Sequence, residues 1–202
     1  VGEKPILETI VEQLSKAGFS RIFMAVHYKA DLLRTHFGDG SDWGITVRYL
    51  EEEEPLGTAG ALSLLSSEPI DMPVLVMNGD LLTRLDFNQL LDYHDSHDGV
   101  ATICVREHEI RIPYGVVQAA GIRVEDITEK PVKKLFINAG IYVLDPDIVK
   151  GRSRVLAGDM PDLLRETIKT GEHVNMFPIH EYWLDIGRVE EYRQAQIDIT
   201  EL

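Results

Sequence analysis

The chain reads as an α/β protein built on a mixed, mainly parallel sheet with helices on both faces. Three observations predict it. Helical and strand-like segments alternate along most of the chain, the strand segments are short and continuously apolar, and only from Tyr114 does the texture change. Parallel strands give such runs because helices cover both of their faces.

In order, PILETIVEQLSKAG is an amphipathic helix stopped by Gly18, and RIFMAVHY is a short buried strand. KADLLRTHF and ITVRYLE repeat the step, as do TAGALSLLSS with PVLVMNGD and FNQLLDYHDSH with VATICVRE. The stretch YGVVQAAGIRVEDITEKP holds two short alternating runs about a glycine turn, which predicts an antiparallel excursion before the sheet resumes at FINAGIYVL. DMPDLLRETIKTG and VEEYRQAQIDI read as later helices, with VNMFPI as a strand between them. No repeat, low-complexity tract or linker interrupts residues 1–202, so one domain is expected.

A net charge of −14 and a pI near 4.8 argue against nucleic acid and anionic membranes as partners, because little here would replace counterions on a polyanion. A phosphate ligand must be small and locally neutralised. The single cysteine, Cys104 in VATICV, reads as a core residue and excludes a disulfide framework or a cysteine-rich zinc site, which fits the cytoplasm. No apolar run approaches the roughly 20 residues that span a bilayer. His94 and His97 have metal-like spacing but no evident third ligand, so both are expected as bystanders at a frayed helix end; the other histidines are scattered. The run Glu51 to Glu54 is expected to be mostly a solvated cluster.

In open α/β sheets, ligands bind beyond the carboxyl ends of the strands. Asp80 sits at such an end in PVLVMNGD, and Asp185 in YWLDIGR has a similar setting. Two carboxylates there suit one hard cation such as Mg2+, which takes oxygen ligands and keeps waters and substrate phosphates in its other positions. The competing reading is a turn whose aspartate caps a local amide, and position alone does not separate the two.

The motifs EEEEPLGTAGALSLL, NGDLL, YGVV, EKP, NAGIYVLDP and WLDIGRVEEY occur in the order seen in sugar-1-phosphate nucleotidyltransferases, and the chain most closely resembles the mannose-1-phosphate guanylyltransferase-like branch. The resemblance covers nearly the whole chain. It implies a Rossmann-like nucleotide-diphospho-sugar transferase fold and transfer of a nucleoside monophosphate from a nucleoside triphosphate to a hexose 1-phosphate, with pyrophosphate released and Mg2+ assisting. Asp80 and Asp185 would hold the metal. Lys130 of EKP would bind the phosphate of the sugar phosphate, and Glu129, Asn138 and Gly140 would hydrogen-bond sugar hydroxyls. Gly115 would let the backbone approach the sugar. Gly57, Thr58 and Gly60 open an expected helix and could turn their amides to the nucleotide. Glu52 occupies the place where uridylyltransferases of the wider family set a glutamine against uracil, and a carboxylate there favours guanine, whose N1–H and N2–H it can accept together.

The family begins with a strand and a GGxGTRLxPxT loop followed by PKPM, and neither precedes VGEKPILE here. Lys4 therefore corresponds to a later segment. The sheet is expected to lack its first strand, and the chain alone is expected to be inactive; an upstream domain or a homo-oligomer stays open. Two rivals remain: a catalytically inactive regulatory module that binds a nucleotide sugar, which loss of the loop would suit, and a metal-using glycosyltransferase, against which EKP, NAG and WLDIG together speak.

Overall fold

The computed structural model describes residues 1–2, 4–151 and 158–199, so Glu3 of VGEKPILE lies outside the described residues. The helix α1 (Ile6–Lys16) places Leu7, Ile10, Val11 and Leu14 on one stripe, and the last three are buried. It stops where expected: Gly18 has φ 94°, a conformation that glycine adopts at little cost. Next come β1 (Arg21–Val26), α2 (Ala30–Phe37), a short 3-10 turn at Ser41–Trp43, and β2 (Thr46–Glu51), which pairs in parallel with β1.

The segment expected as an α-helix at TAGALSLLSS forms a 3-10 helix over Gly60–Ser67. Ser63 Oγ donates to the Gly60 carbonyl at 2.7 Å, a local bond of the kind by which serine competes with regular α-helical turns. Beyond it lie β3 (Val74–Met77), β4 (Leu81–Thr83), α3 (Phe87–Ser96) and β5 (Ala101–Arg111). The hairpin β6 (Val116–Ala120) and β7 (Arg123–Thr128) is the antiparallel excursion predicted after Tyr114. The chain continues through β8 (Val132–Leu144), α4 (Pro146–Gly151), α5 (Met160–Lys169), β9 (Val174–Pro178), β10 (Trp183–Asp185) and α6 (Val189–Asp198).

The main sheet has the order β3-β8-β5-β9. β8 runs antiparallel to both neighbours while β5 and β9 are parallel, so three of its four strands point one way. β3 is only half-buried, whereas its apolar run VLVM reads as fully buried. The reason is its edge: among the described residues β3 pairs with β8 alone, as β1 pairs with β2 alone. Ile22 of β1 nevertheless shares a core cluster with Leu75 and Met77 of β3, and Leu7, Ile10 and Leu14 of α1 belong to that cluster as well. The β1–β2 pair and the main sheet thus pack under one helix, α1.

His94 departs from expectation. It is 4% exposed, with Nδ1 2.8 Å from Thr102 Oγ1 and Nε2 3.1 Å from Asp145 Oδ1. The helix end is therefore pinned at His94, and only His97 lies at the exposed end. Cys104 is fully buried in the main cluster, and burial pushes its thiol up to about 12. Since the thiolate is the reactive form, the native protein at pH 8 should resist a thiol reagent for hours and react fully in urea; rapid labelling of the native state would show that the strand opens locally. Among the described residues no helix is long and apolar enough to cross a membrane.

Candidate active site

Two strands too short to stand out in the sequence bring the distant motifs together. β4 begins one residue after Asp80, β10 ends on Asp185, and the two pair antiparallel with Asp185 opposite Leu81. The Ile186 amide donates to the Asp80 carbonyl at 3.0 Å, so the two aspartates leave the same end of one ladder. The NAG segment closes the group. The Asn78 amide donates to the Gly140 carbonyl at 2.9 Å, and Trp183 Nε1 donates to the Ala139 carbonyl at 2.9 Å. NGD, NAG and WLDIG, spread over 110 positions of the chain from 78 to 187, therefore form one locked cluster.

Both aspartates are exposed at the rim. Partial burial of the Asp185 carboxyl, and then the charges of Asp80 and Glu191, push its pKa above the ordinary carboxyl value. Although the residue lies at the rim, the like charges of Asp80 and Glu191 act in the same sense as the burial of its carboxyl. Glu191 was missed in the sequence reading. It stands in the first turn of α6, and a methyl on Gly187 would lie 3.6 Å from Asp185 Oδ1 and 3.7 Å from Glu191 Oε2. Nothing before the fold was known set it apart from its neighbour Glu190. Among the described residues no group of three or more histidine, cysteine or acidic side chains is arranged to hold a metal ion. Two carboxylates with no nitrogen or sulfur donor still fit a hard cation whose remaining positions go to water and phosphate.

Asn138 uses its side chain locally. Its Oδ1 accepts from the Gly140 amide at 3.0 Å and its Nδ2 donates to Tyr142 Oη at 2.6 Å, which leaves one N–H and spare lone pairs for a ligand. Gly140 is buried and its amide and carbonyl are both engaged, so its part is structural.

Gly115, Glu129 and Lys130 also meet. A Cβ on Gly115 would come within 2.9 Å of Glu129 Oε2. Lys130 Nζ lies 4.0 Å from Glu129 Oε1, and its backbone is left-handed at φ 45°. The ladder of β5 with β8 is regular from the Val105–Asn138 pair to the Arg111–Val132 pair, and the Ile112 amide extends it to the Pro131 carbonyl. Lys130 thus lies eight positions from Asn138 along this strand and the turn before it.

Glu52 is half-buried just past β2, and its Oε2 accepts from the Leu56 amide at 3.3 Å. Gly57, Thr58 and Gly60 do gather at the start of the 3-10 helix, but the amides of Thr58 and Gly60 are already engaged within the protein. Thr58 N donates to Asp159 Oδ1 at 3.1 Å, Ala59 N to the Gly158 carbonyl at 2.9 Å and Gly60 N to the Gly57 carbonyl at 3.1 Å. Asp159, just before α5, makes no capping hydrogen bond to that helix and serves this loop instead. Nothing in the sequence ties it to Thr58, 101 residues earlier. Lys4 is ion-paired with Glu12.

Against known proteins, residues 1–201 match the family described as nucleotidyl transferase. The chain is 29% identical over 207 residues to a mannose-1-phosphate guanyltransferase of Debaryomyces hansenii, covering 97% of this chain and 56% of that protein. It is 32% identical over 200 residues to the probable mannose-1-phosphate guanylyltransferase 3 of Oryza sativa subsp. japonica, covering 94% and 54%. The chain therefore spans about half the length of these curated relatives. Among solved structures, HddC from Yersinia pseudotuberculosis superposes with a TM-score of 0.73 at 27% identity, over 97% of this chain and 86% of that one. The same protein complexed with GMP-PN gives 0.73 at 25% identity over the same shares. A putative glucose-1-phosphate thymidylyltransferase from Bacillus anthracis gives 0.76 at 18% identity, over 100% and 85%, which speaks to the fold alone.

Proposed function

The chain belongs to the nucleotidyl transferase family, and from that premise we propose that it transfers GMP from GTP to a hexose 1-phosphate, with release of pyrophosphate. One observation carries the reading: Asp80 and Asp185 leave the same end of one short ladder, locked there by the NAG segment. Two anions must meet in this reaction, and this chain is itself strongly acidic. Mg2+ held by Asp80 and Asp185 would supply the charge that lets two phosphates approach and that braces the transition state.

The chain's own residues then bind and orient. Asn138 offers its remaining N–H and lone pairs to sugar hydroxyls. Lys130, with Glu129 and Gly115, is assigned to the sugar phosphate by family resemblance. Glu52 reads the base. Its contact with Leu56 uses one of about four acceptor sites on the carboxylate, which leaves room to accept from guanine N1–H and N2–H together. Uracil and thymine would turn carbonyl lone pairs toward it. A mismatched buried polar group costs roughly 1 to 3 kcal/mol, so GTP should be preferred over UTP by about ten- to a hundredfold.

The test is pyrophosphate release by the full-length protein across a panel of nucleoside triphosphates and hexose 1-phosphates. Release should need both substrates, stop in chelator, and favour GTP, with Glu52→Gln collapsing the preference over UTP. Full activity in chelator, or equal use of UTP by the unaltered protein, would overturn the reading.

A further inference from the structure

Where β1 ends, the turn His27-Tyr28-Lys29 leads into α2. β1 and β2 run in parallel with Val26 opposite Glu51, so this turn and Glu52 leave the sheet side by side. Two hydrogen bonds tie them together. The Glu52 amide donates to the Val26 carbonyl at 3.0 Å, and His27 Nδ1 donates to the Glu52 carbonyl at 2.8 Å. The turn therefore lies directly beside the Glu52 backbone.

Two further features of the turn call for a cause. Tyr28 is 79% exposed, with the Lys29 ammonium 5.2 Å from the centroid of its ring. Lys29 is left-handed at φ 57°, and among the described residues the other non-glycine with positive φ is Lys130. A left-handed lysine costs on the order of 1 kcal/mol that a glycine would avoid. What the lysine adds and a glycine could not is the ammonium over the ring.

We infer that Tyr28 is the stacking platform of the nucleotide site: its ring receives the base whose edge Glu52 reads, with the Lys29 ammonium beside it. The inference rests on the nucleotide reading proposed above and adds a division of labour to it. Every base has a π-face, so stacking raises affinity for all nucleotides alike, whereas the hydrogen bonds of Glu52 choose among them. Removing the ring should therefore lower affinity without changing preference, and removing the carboxylate should change preference.

The experiment is equilibrium titration of the full-length protein with GMP, UMP and inorganic tripolyphosphate, with the guanine H8 resonance followed by NMR. Tyr28→Ala should weaken GMP and UMP by a similar factor, roughly 5- to 100-fold, and leave tripolyphosphate unchanged. Tyr28→Phe should bind as the unaltered protein does, and the upfield shift of H8 on binding should be present with Phe and absent with Ala. Because Tyr28 is exposed, the variants should keep the native circular dichroism. Full GMP affinity in Tyr28→Ala, while Glu52→Gln alters the GMP to UMP ratio, would sink the stacking assignment alone. An unaltered protein that binds no guanine nucleotide would sink the proposed function and this inference with it.

Discussion

Asp80→Asn and Asp185→Asn should each lower the rate of pyrophosphate release by two or more orders of magnitude while leaving the protein folded. Asparagine keeps the shape and one acceptor oxygen but removes the charge. A site that depends on charge to bring two phosphates together loses most of its advantage when half of the carboxylate pair is neutral. Two readouts besides rate separate this from damage. Mg2+ should raise the melting temperature of the unaltered protein and leave that of either variant unmoved, because a ligand stabilises only a state that binds it. The second concerns pH. In the folded protein the Asp185 pKa is raised, by burial first and then by Asp80 and Glu191. Below the unfolded value, about 3.9, the group is protonated in both states and costs nothing. As pH rises through the folded value it ionises against its surroundings, and stability is lost. Asp185→Asn should therefore be more stable than the unaltered protein at pH 7 without metal, and no more stable at pH 3. A near-normal rate in either variant, or loss of stability in Asp185→Asn at pH 7, would return these residues to ordinary turn positions.

Much of this site was legible from residues alone, for a physical reason. An apolar strand that halts on Asn-Gly-Asp and an aromatic run that halts on Asp-Ile-Gly both place a carboxylate where ligands collect, and both landed on one ladder. Other features were out of reach because they depend on contacts between distant positions. β4 and β10 are three residues each, too short for any periodicity, yet their pairing is what joins the aspartates. Asp159 looks like the start of a helix, and only the fold shows that its carboxylate holds Thr58. His94 looked like a frayed helix end because a helix's length does not say which side its last turn presents to a core.

Gly140 joins the local fold to the chemistry, and Gly140→Ala should show it. Its φ is 71°, which costs an alanine about 1 kcal/mol. The added methyl would also sit 2.7 Å from Asn78 Nδ2 and 3.1 Å from Asn78 Cγ, with Leu81 Cδ1 at 3.5 Å. The clashing atoms are the side-chain end of Asn78, whose backbone amide is bonded to the Gly140 carbonyl. Asn78 begins the turn that carries Asp80, and the expected result is that part of the displacement is passed to the aspartate. The expected loss is about 2 to 3 kcal/mol, or a fall in melting temperature of roughly 4 to 12 °C for a chain of this size. Turnover in the protein that remains folded should drop about a hundredfold, because displacement of a reacting group by about 1 Å can cost that much. Gly121→Ala is the control. Its φ is 64°, and a methyl there meets nothing within 4 Å, so it carries the conformational cost without the clash. It should lose about 1 kcal/mol and keep its rate. If the two alanine variants matched in both stability and turnover, Gly140 would be only a left-handed turn, and Asn78 would not be transmitting strain to Asp80.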